Sequence, residues 1–371
     1  MTYKVNDLRQ NALIQGNPMP QGHALQAEVI CEKQGHAGLI HLNRPKALNA
    51  LTHEMVKEIA IALDQWEQDP EITRILIDAE GEKAFCAGGD IRKVTEQGKN
   101  GEKAEAIRFW ADEYRLNTRI KTYPKPYIAL IDGIVMGGGV GLSLHGHYRV
   151  AGERYLFAMP EVSIGLFPDV GATYALPRLQ GESGLWLAMT GARLKRAQAL
   201  ALGIATHAVE TSQMDQLKEA LIAGDDIEAS LKRFGATISP PDISDKLNEI
   251  NHLFNARDLN HLVDNLQKAA PQSQFAADCL ATIRKASPTS LAITFRQMRH
   301  GRELSFHDAM ILEYRIVSRI LDATDFYEGV RAVIIDKDQA PKWSPARIEE
   351  IRSETIDAYF KPLAQELVFT V

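Results

Sequence analysis

Gly133-Ile134-Val135-Met136-Gly137-Gly138-Gly139-Val140-Gly141-Leu142-Ser143-Leu144-His145, joined by a short interval to Met159-Pro160-Glu161-Val162-Ser163-Ile164-Gly165-Leu166-Phe167-Pro168-Asp169-Val170-Gly171-Ala172-Thr173, is the stretch whose reading decides the architecture. Three consecutive glycines lead into an apolar, helix-like run, and two carboxylates, Glu161 and Asp169, follow. Glycine lets backbone N–H groups come close to a ligand, and the start of a helix aims such donors outward. The stretch predicts a site where backbone N–H groups hold a carbonyl oxygen and a carboxylate acts beside it.

Working outward, the same grammar occurs earlier. Tyr127-Ile128-Ala129-Leu130-Ile131 reads as a buried strand before the glycine triplet, and Arg74-Ile75-Leu76-Ile77-Asp78 as another before Phe85-Cys86-Ala87-Gly88-Gly89-Asp90-Ile91. That second turn leads into a helix with Asp90 as its N-cap. Strand, glycine-rich turn and helix therefore occur twice, from Ile75 to Ile91 and from Ile128 to Leu144. Residues 27–43 alternate around a Gly35-to-Gly38 turn and predict a hairpin. A helix is expected from Thr52 to about Trp66, a mobile polar loop over 97–104, and a helix over about 103–121 carrying Trp110, Glu113 and Tyr114. Strands follow at 148–151 and 155–158. Beyond Gly171 helical patterns dominate: 182–190, 194–202, 213–222, 226–234, 242–254, 258–268, 272–285, 289–300 and 304–321, punctuated by Pro240-Pro241, Pro271 and Pro288. The expected organisation is a leader over 1–26, an α/β core over 27–210 and a helical C-terminal region over 211–371.

Composition narrows the classes of function. The chain has 371 residues, is 45% hydrophobic and 24% charged, and carries a net charge of −6, which argues against a general nucleic-acid binder. Cys31, Cys86 and Cys279 are widely spaced and form no CxxC pair, which fits a reducing compartment without structural zinc. No apolar run approaches the roughly 18 residues of a membrane span. The first 20 residues resemble neither a signal h-region nor a transit helix. The expectation is a cytoplasmic protein that meets neither membrane nor nucleic acid.

Each glycine turn alone could be no more than a tight turn or close helix packing. Two at strand-to-helix junctions suggest that Gly89 and Gly138 each offer one N–H to the same oxygen, where losing one donor typically costs about 3–4 kcal/mol of transition-state stabilisation. Neither turn fits a dinucleotide fingerprint or a phosphate loop. Glu161 follows Pro160 and Asp169 follows Pro168, so the local backbone is constrained. Ile164, Leu166 and Phe167 give an apolar setting, which raises carboxyl pKa values toward the range useful in acid–base work. The alternative is that both are ordinary exposed acids. No GxSxG elbow or HExxH helix occurs, the histidines form no metal-ligand pattern, and His145, two residues from Ser143, is read as structural.

At these residues the chain resembles the crotonase (enoyl-CoA hydratase/isomerase) superfamily. The resemblance rests on Asn43-Arg44-Pro45-Lys46-Ala47-Leu48-Asn49-Ala50-Leu51, Phe85 to Ile91, Gly137-Gly138-Gly139, and Pro160-Glu161 with Gly165, in that order. It implies an α/β spiral of stacked ββα units and an acyl-CoA thioester gripped by the Gly89 and Gly138 N–H groups, with Lys46, Ala47, Asp90 and Ile91 flanking the CoA moiety. A further similarity, running through Met136 to Gly146, Phe157 to Gly171, and Asp325 to Asp338 with Pro341-Lys342-Trp343, is to the branch that hydrolyses short branched 3-hydroxyacyl-CoA thioesters such as 3-hydroxyisobutyryl-CoA in valine breakdown. That match implies Glu161 and Asp169 as the catalytic pair and Glu113 and Gly138 as substrate contacts, with no metal and no cofactor apart from the CoA of the substrate. Hydratases of the superfamily carry a second glutamate where this chain has Gly141, which counts against water addition across a double bond. Enoyl-CoA hydratase/isomerase activity on a short-chain substrate stays open as an alternative, as does a silent acyl-CoA or RNA-binding relative. Superfamily members often form trimers or dimers of trimers, so a homo-oligomer is among the expectations.

Overall fold

A computed structural model describes residues 27–238 and 244–369. The expected leader over 1–26 and the Pro240-Pro241 break lie outside these residues. Strands β1 (Val29–Gln34) and β2 (Ala37–Leu42) form the expected hairpin, and α1 (His53–Gln68) starts at Thr52, whose hydroxyl accepts from the Met55 N–H. Then the chain alternates between two sheets. β3 (Arg74–Ala79) enters one and β4 (Ala84–Cys86) the other, followed by α2 (Ile91–Lys99) and α3 (Lys103–Lys121). β5 (Tyr127–Ile131) and β6 (Ile134–Met136) repeat the step before α4 (Gly138–Ser143), and β7 (Tyr148–Ala151) and β8 (Leu156–Ala158) repeat it again.

The larger sheet has the order β1-β2-β3-β5-β7-β10 and the smaller β4-β6-β8-β9, with β9 at Leu194–Lys195 and β10 at His207–Ala208. β4, β6 and β8 are parallel neighbours, pairing Cys86 with Val135 and Met136 with Ala158. Whatever follows each of them therefore emerges at the same edge. Those followers are Ala87-Gly88-Gly89, Gly137-Gly138 and Met159-Pro160-Glu161. Ligand sites of parallel sheets lie beyond the carboxyl ends of the strands, and here register alone gathers three motifs that are distant in sequence.

Both faces of the larger sheet are covered, which explains why its strands read as continuous apolar runs rather than alternating ones. On one face Leu39, Leu76, Ile128, Leu130 and Val150 pack against Leu217 and Leu221 of α8 (Met214–Ala223) and Leu231 and Phe234 of α9 (Ile227–Phe234), the helices that follow α5 (Ala172–Ala175), α6 (Ser183–Thr190) and α7 (Arg196–Ala201). On the other, Ile40, Ile75, Ile77 and Ile131 join the main core. α10 (Ser244–Phe254), α11 (Leu259–Ala269), α12 (Gln274–Ile283), α13 (Pro288–Gly301), α14 (Phe306–Ile320), α15 (Thr324–Val330) and α16 (Ser353–Phe360) contribute Phe254, Leu262, Ile283, Leu291, Ile316 and Phe326 to that same main core.

Three expectations change. The strand–turn–helix repeat is strand–strand–turn–helix, because β4 and β6 are three residues each, too short to show a period. The polar segment 97–104 is mostly helical: α2 runs to Lys99 and only residues 100–102 separate it from α3, since α2 buries Val94, Thr95 and Gly98. The pattern over 194–202 begins with β9, paired antiparallel to β8, before α7 starts. Helices α15 and α16 and a wide π-type turn at Arg331–Ile335 had no sequence signal.

Leu217 is fully buried between α8 and the sheet. Leu217→Ala is expected to destabilise the protein by about 2–5 kcal/mol, with tryptophan fluorescence and far-UV circular dichroism losing signal in one shared urea transition. Two separated transitions would show that α8 does not fold with the sheet.

Candidate active site

The three turns after β4, β6 and β8 meet α3 and the C-terminal segment around a cavity of about 410 Å³. Gly88, Gly89, Gly137, Gly138, Glu113, Glu161 and Asp169 all line it, with Ile91, Trp110, Leu166, Val333 and Ile334 supplying apolar wall. Gly137 sits at φ +46, which favours glycine, and turns the chain sharply into α4. At Gly138 close approach decides: a Cβ there would fall 2.7 Å from Glu113 Oε1 and 3.4 Å from the Gly89 nitrogen. Gly89 and Gly138 are thus neighbours, and among the described residues neither N–H donates to a protein acceptor. Two free donors side by side over a partly apolar cavity can receive a carbonyl oxygen and the charge it develops under attack.

Glu161 starts a short 3₁₀ turn (Glu161–Ile164), and its Oε1 lies 3.5 Å from where a Cβ on Gly137 would be. Glu113 projects from α3 against Gly138. Asp169 accepts the Tyr114 hydroxyl at 2.8 Å. All three carboxyls are buried, at 2–5% exposure, and Glu113 Oε1 and Glu161 Oε2 have no protein partner. Burial holds each well up from the ordinary carboxylate range. For Asp169 it does so to about 7, against the opposing pull of the Tyr114 hydrogen bond. For Glu161 and Glu113 the negative charge of Asp169 adds to the burial. Carboxyls raised in this way are suited to take up or release a proton near neutral pH, as acid–base chemistry requires.

The remaining sequence-derived residues fall elsewhere. Ile91 lines the cavity, but Lys46 and Ala47 lie exposed on the 45–47 turn, and Asp90 caps α2 through the Lys93 N–H and pairs with Arg44 at 3.2 Å. The 45–51 segment reaches the site through backbone bonds, Leu51 N–H to Gly88 O and Asp90 N–H to Leu51 O. Ser143 donates to Gly139 O and His145 to Val170 O; burial brings the His145 pKa down to about 4, so it is a neutral structural residue. Among the described residues no group of three His, Cys, Asp or Glu could hold a metal, and no helix is long and apolar enough to cross a membrane.

Sequence reasoning missed Arg193, Val333, Ile334 and Gln339 in the cavity wall, and Glu313 behind it. Arg193 precedes a two-residue strand, and residues 333–339 reach the cavity only through long-range packing, so neither carries a local signal. Val170, beside Asp169, adopts φ +50, a left-handed conformation that costs a β-branched residue about 1–3 kcal/mol. Such an outlier marks a turn held by its surroundings.

The family described as Enoyl-CoA hydratase/isomerase matches residues 37–360. The chain is 48% identical over 347 residues to the mitochondrial 3-hydroxyisobutyryl-CoA hydrolase of Gallus gallus, covering 91% of this chain and 89% of that one. Among solved structures it resembles a carnitinyl-CoA dehydratase from Mycobacterium thermoresistibile (38% identity, TM-score 0.87, 92% and 98% of the two chains). It also resembles an enoyl-CoA hydratase from Rhodobacter sphaeroides (40% identity, TM-score 0.86, 92% and 100%).

A carboxyl whose folded-state pKa lies above its unfolded value favours the fold below the unfolded value, and this contribution is lost as pH rises through the folded one. For Asp169 the window runs from 3.8 to about 7. Asp169→Asn is therefore expected to stabilise more at pH 8 than at pH 5, by on the order of 2 kcal/mol, in urea unfolding at the two pH values. Equal changes at both would contradict a costly buried acid.

Proposed function

The chain belongs to the enoyl-CoA hydratase/isomerase family, and from that premise we propose that it hydrolyses a short branched 3-hydroxyacyl-CoA, 3-hydroxyisobutyryl-CoA above all, to the free acid and CoA. The observation that carries this reading is the pairing of two free backbone donors, Gly89 and Gly138, with a buried Glu161/Asp169 pair across one cavity. The thioester oxygen sits between the two N–H groups and takes up the negative charge as the carbonyl carbon becomes tetrahedral. Glu161 either attacks that carbon itself, giving a mixed anhydride that water then opens, or removes a proton from the attacking water. Collapse breaks the C–S bond, and the sulfur leaves as the CoA thiol once protonated. Asp169 binds the substrate hydroxyl or positions water and assists that proton transfer, and Glu113 lines the acyl pocket.

Gly141 weighs against hydration of a double bond. A Cβ at this position would meet Asn117 Nδ2 at 2.7 Å and the Val170 Cβ at 2.9 Å, so the packing leaves no room for a glutamate there. The second reading, hydratase or isomerase action, draws support from the names of the two solved structures. A hydrolase of this substrate would serve valine catabolism. Its free cysteines Cys31, Cys86 and Cys279 support a reducing compartment; the cytoplasm is the expected one, while the avian relative is named as mitochondrial.

The wild-type protein is expected to release thiol from 3-hydroxyisobutyryl-CoA and to leave crotonyl-CoA unhydrated. Hydration of crotonyl-CoA without thiol release would transfer the reading to the hydratases. Glu161→Gln is expected to lower kcat by about 10²–10⁴-fold while CoA binding persists, as followed by calorimetry; near-normal turnover would remove Glu161 from the chemistry.

A further inference from the structure

We propose that Glu313 of α14 is a positioning residue for Asp169: its buried carboxyl group, with Gln297 and His145, fixes the 168–173 turn so that the Asp169 carboxyl faces the cavity. The inference rests on the hydrolase reading for its kinetic readout only.

Asp169 lies on a turn that would not keep its shape unaided. Val170 at φ +50 and Gly171 at φ +89 are successive left-handed residues, and the first is β-branched. Three buried side chains from different parts of the fold hold this turn. Glu313 accepts the Gly171 N–H at 2.8 Å through Oε2 and the Thr173 N–H at 2.9 Å through Oε1. Gln297 of α13 donates through Nε2 to Pro168 O and to Thr173 Oγ1, both at 2.6 Å. His145 donates through Nε2 to Val170 O at 2.7 Å. Glu313 and Gln297 are completely buried, and both oxygens of Glu313 are used on this one turn. A carboxyl group gripping two donors two residues apart, one on each oxygen, fixes direction as well as distance.

The turn sits among other buried titratable groups: Glu113 and Tyr114 from α3, Glu161, and the neutral His145. Burial and the charge of Asp169 push Glu313 up to about 8 even though its two backbone hydrogen bonds pull the other way. Glu313 therefore gives up its proton after Asp169, and its hold on Asp169 runs through the geometry of the turn rather than through charge.

The test separates positioning of Asp169 from a general loss of packing. Glu313→Gln turns an NH₂ toward one of the two N–H donors. It is expected to lower kcat by about 10–100-fold with KM within about threefold. Gln297→Met removes the contacts to Pro168 and Thr173 at similar volume. It is expected to lower kcat with the same split from KM, and it carries the test if Glu313→Gln does not fold. In an Asp169→Asn background neither substitution should lower kcat further. Losses that are fully additive with Asp169→Asn, or a wild-type kcat in the folded variants, would overturn the proposal. If the wild type turns over no acyl-CoA, the hydrolase reading fails while the inference is still decided by ¹³C NMR of the Asp169 carboxyl. A displaced resonance in folded Glu313→Gln supports it and one unchanged from the wild type overturns it.

Discussion

The rest of the structure turns on one electrostatic constraint: Glu113, Glu161 and Asp169 are buried around one small cavity with Glu313 behind it, and among the described residues no cation is among the groups that set their ionisation. Water would stabilise their charges, but the four carboxyls are almost completely buried. The available response is to keep protons, and each of Glu113, Glu161, Asp169 and Glu313 is pushed up accordingly. Carboxyls raised in this way can serve as acid or base near neutral pH. In the proposed reaction the Gly89 and Gly138 N–H groups supply partial positive charge where the thioester oxygen becomes negative, without adding a counter-ion that would fix the carboxylates in their ionised form.

The fold meets this constraint by register. Alternation between two sheets puts β4, β6 and β8 side by side, so three turns deliver the donors and Glu161 to one edge. α3 then passes over α4 closely enough to set Glu113 against Gly138 and Asn117 against Gly141. The C-terminal helices finish the work: the 331–335 turn walls the cavity, and α13 and α14 reach the segment that bears Asp169. The turn that bears Asp169, the acid of the proposed mechanism, thereby depends on residues more than 120 positions away.

What was legible in the sequence follows from the range of the interactions. Gly89, Gly138, Glu161 and Asp169 stand in short motifs where turn chemistry and proline constraints are local, and the structure brings them to one cavity. The helix over 103–121 and the strands at 74–79 and 127–131 carry long apolar patterns and were readable for that reason. β4 and β6 were not, since three residues hold no period. Glu313 looked like one acid among many on an amphipathic helix; only the fold shows it aimed at two backbone donors. Lys46, Ala47 and Asp90 entered through the family resemblance; the first two lie exposed on the 45–47 turn and Asp90 caps α2, outside the cavity wall.

The most direct test of the central claim is an infrared titration of the unliganded protein between pH 5 and 9, comparing wild type with Glu161→Gln and Asp169→Asn in the carboxyl region. The account predicts protonated-carboxyl absorption that persists at pH 7 in the wild type and is weakened by each substitution. A wild-type spectrum at pH 7 with ionised carboxylates alone, identical to the variants above the carboxylate band, would contradict it.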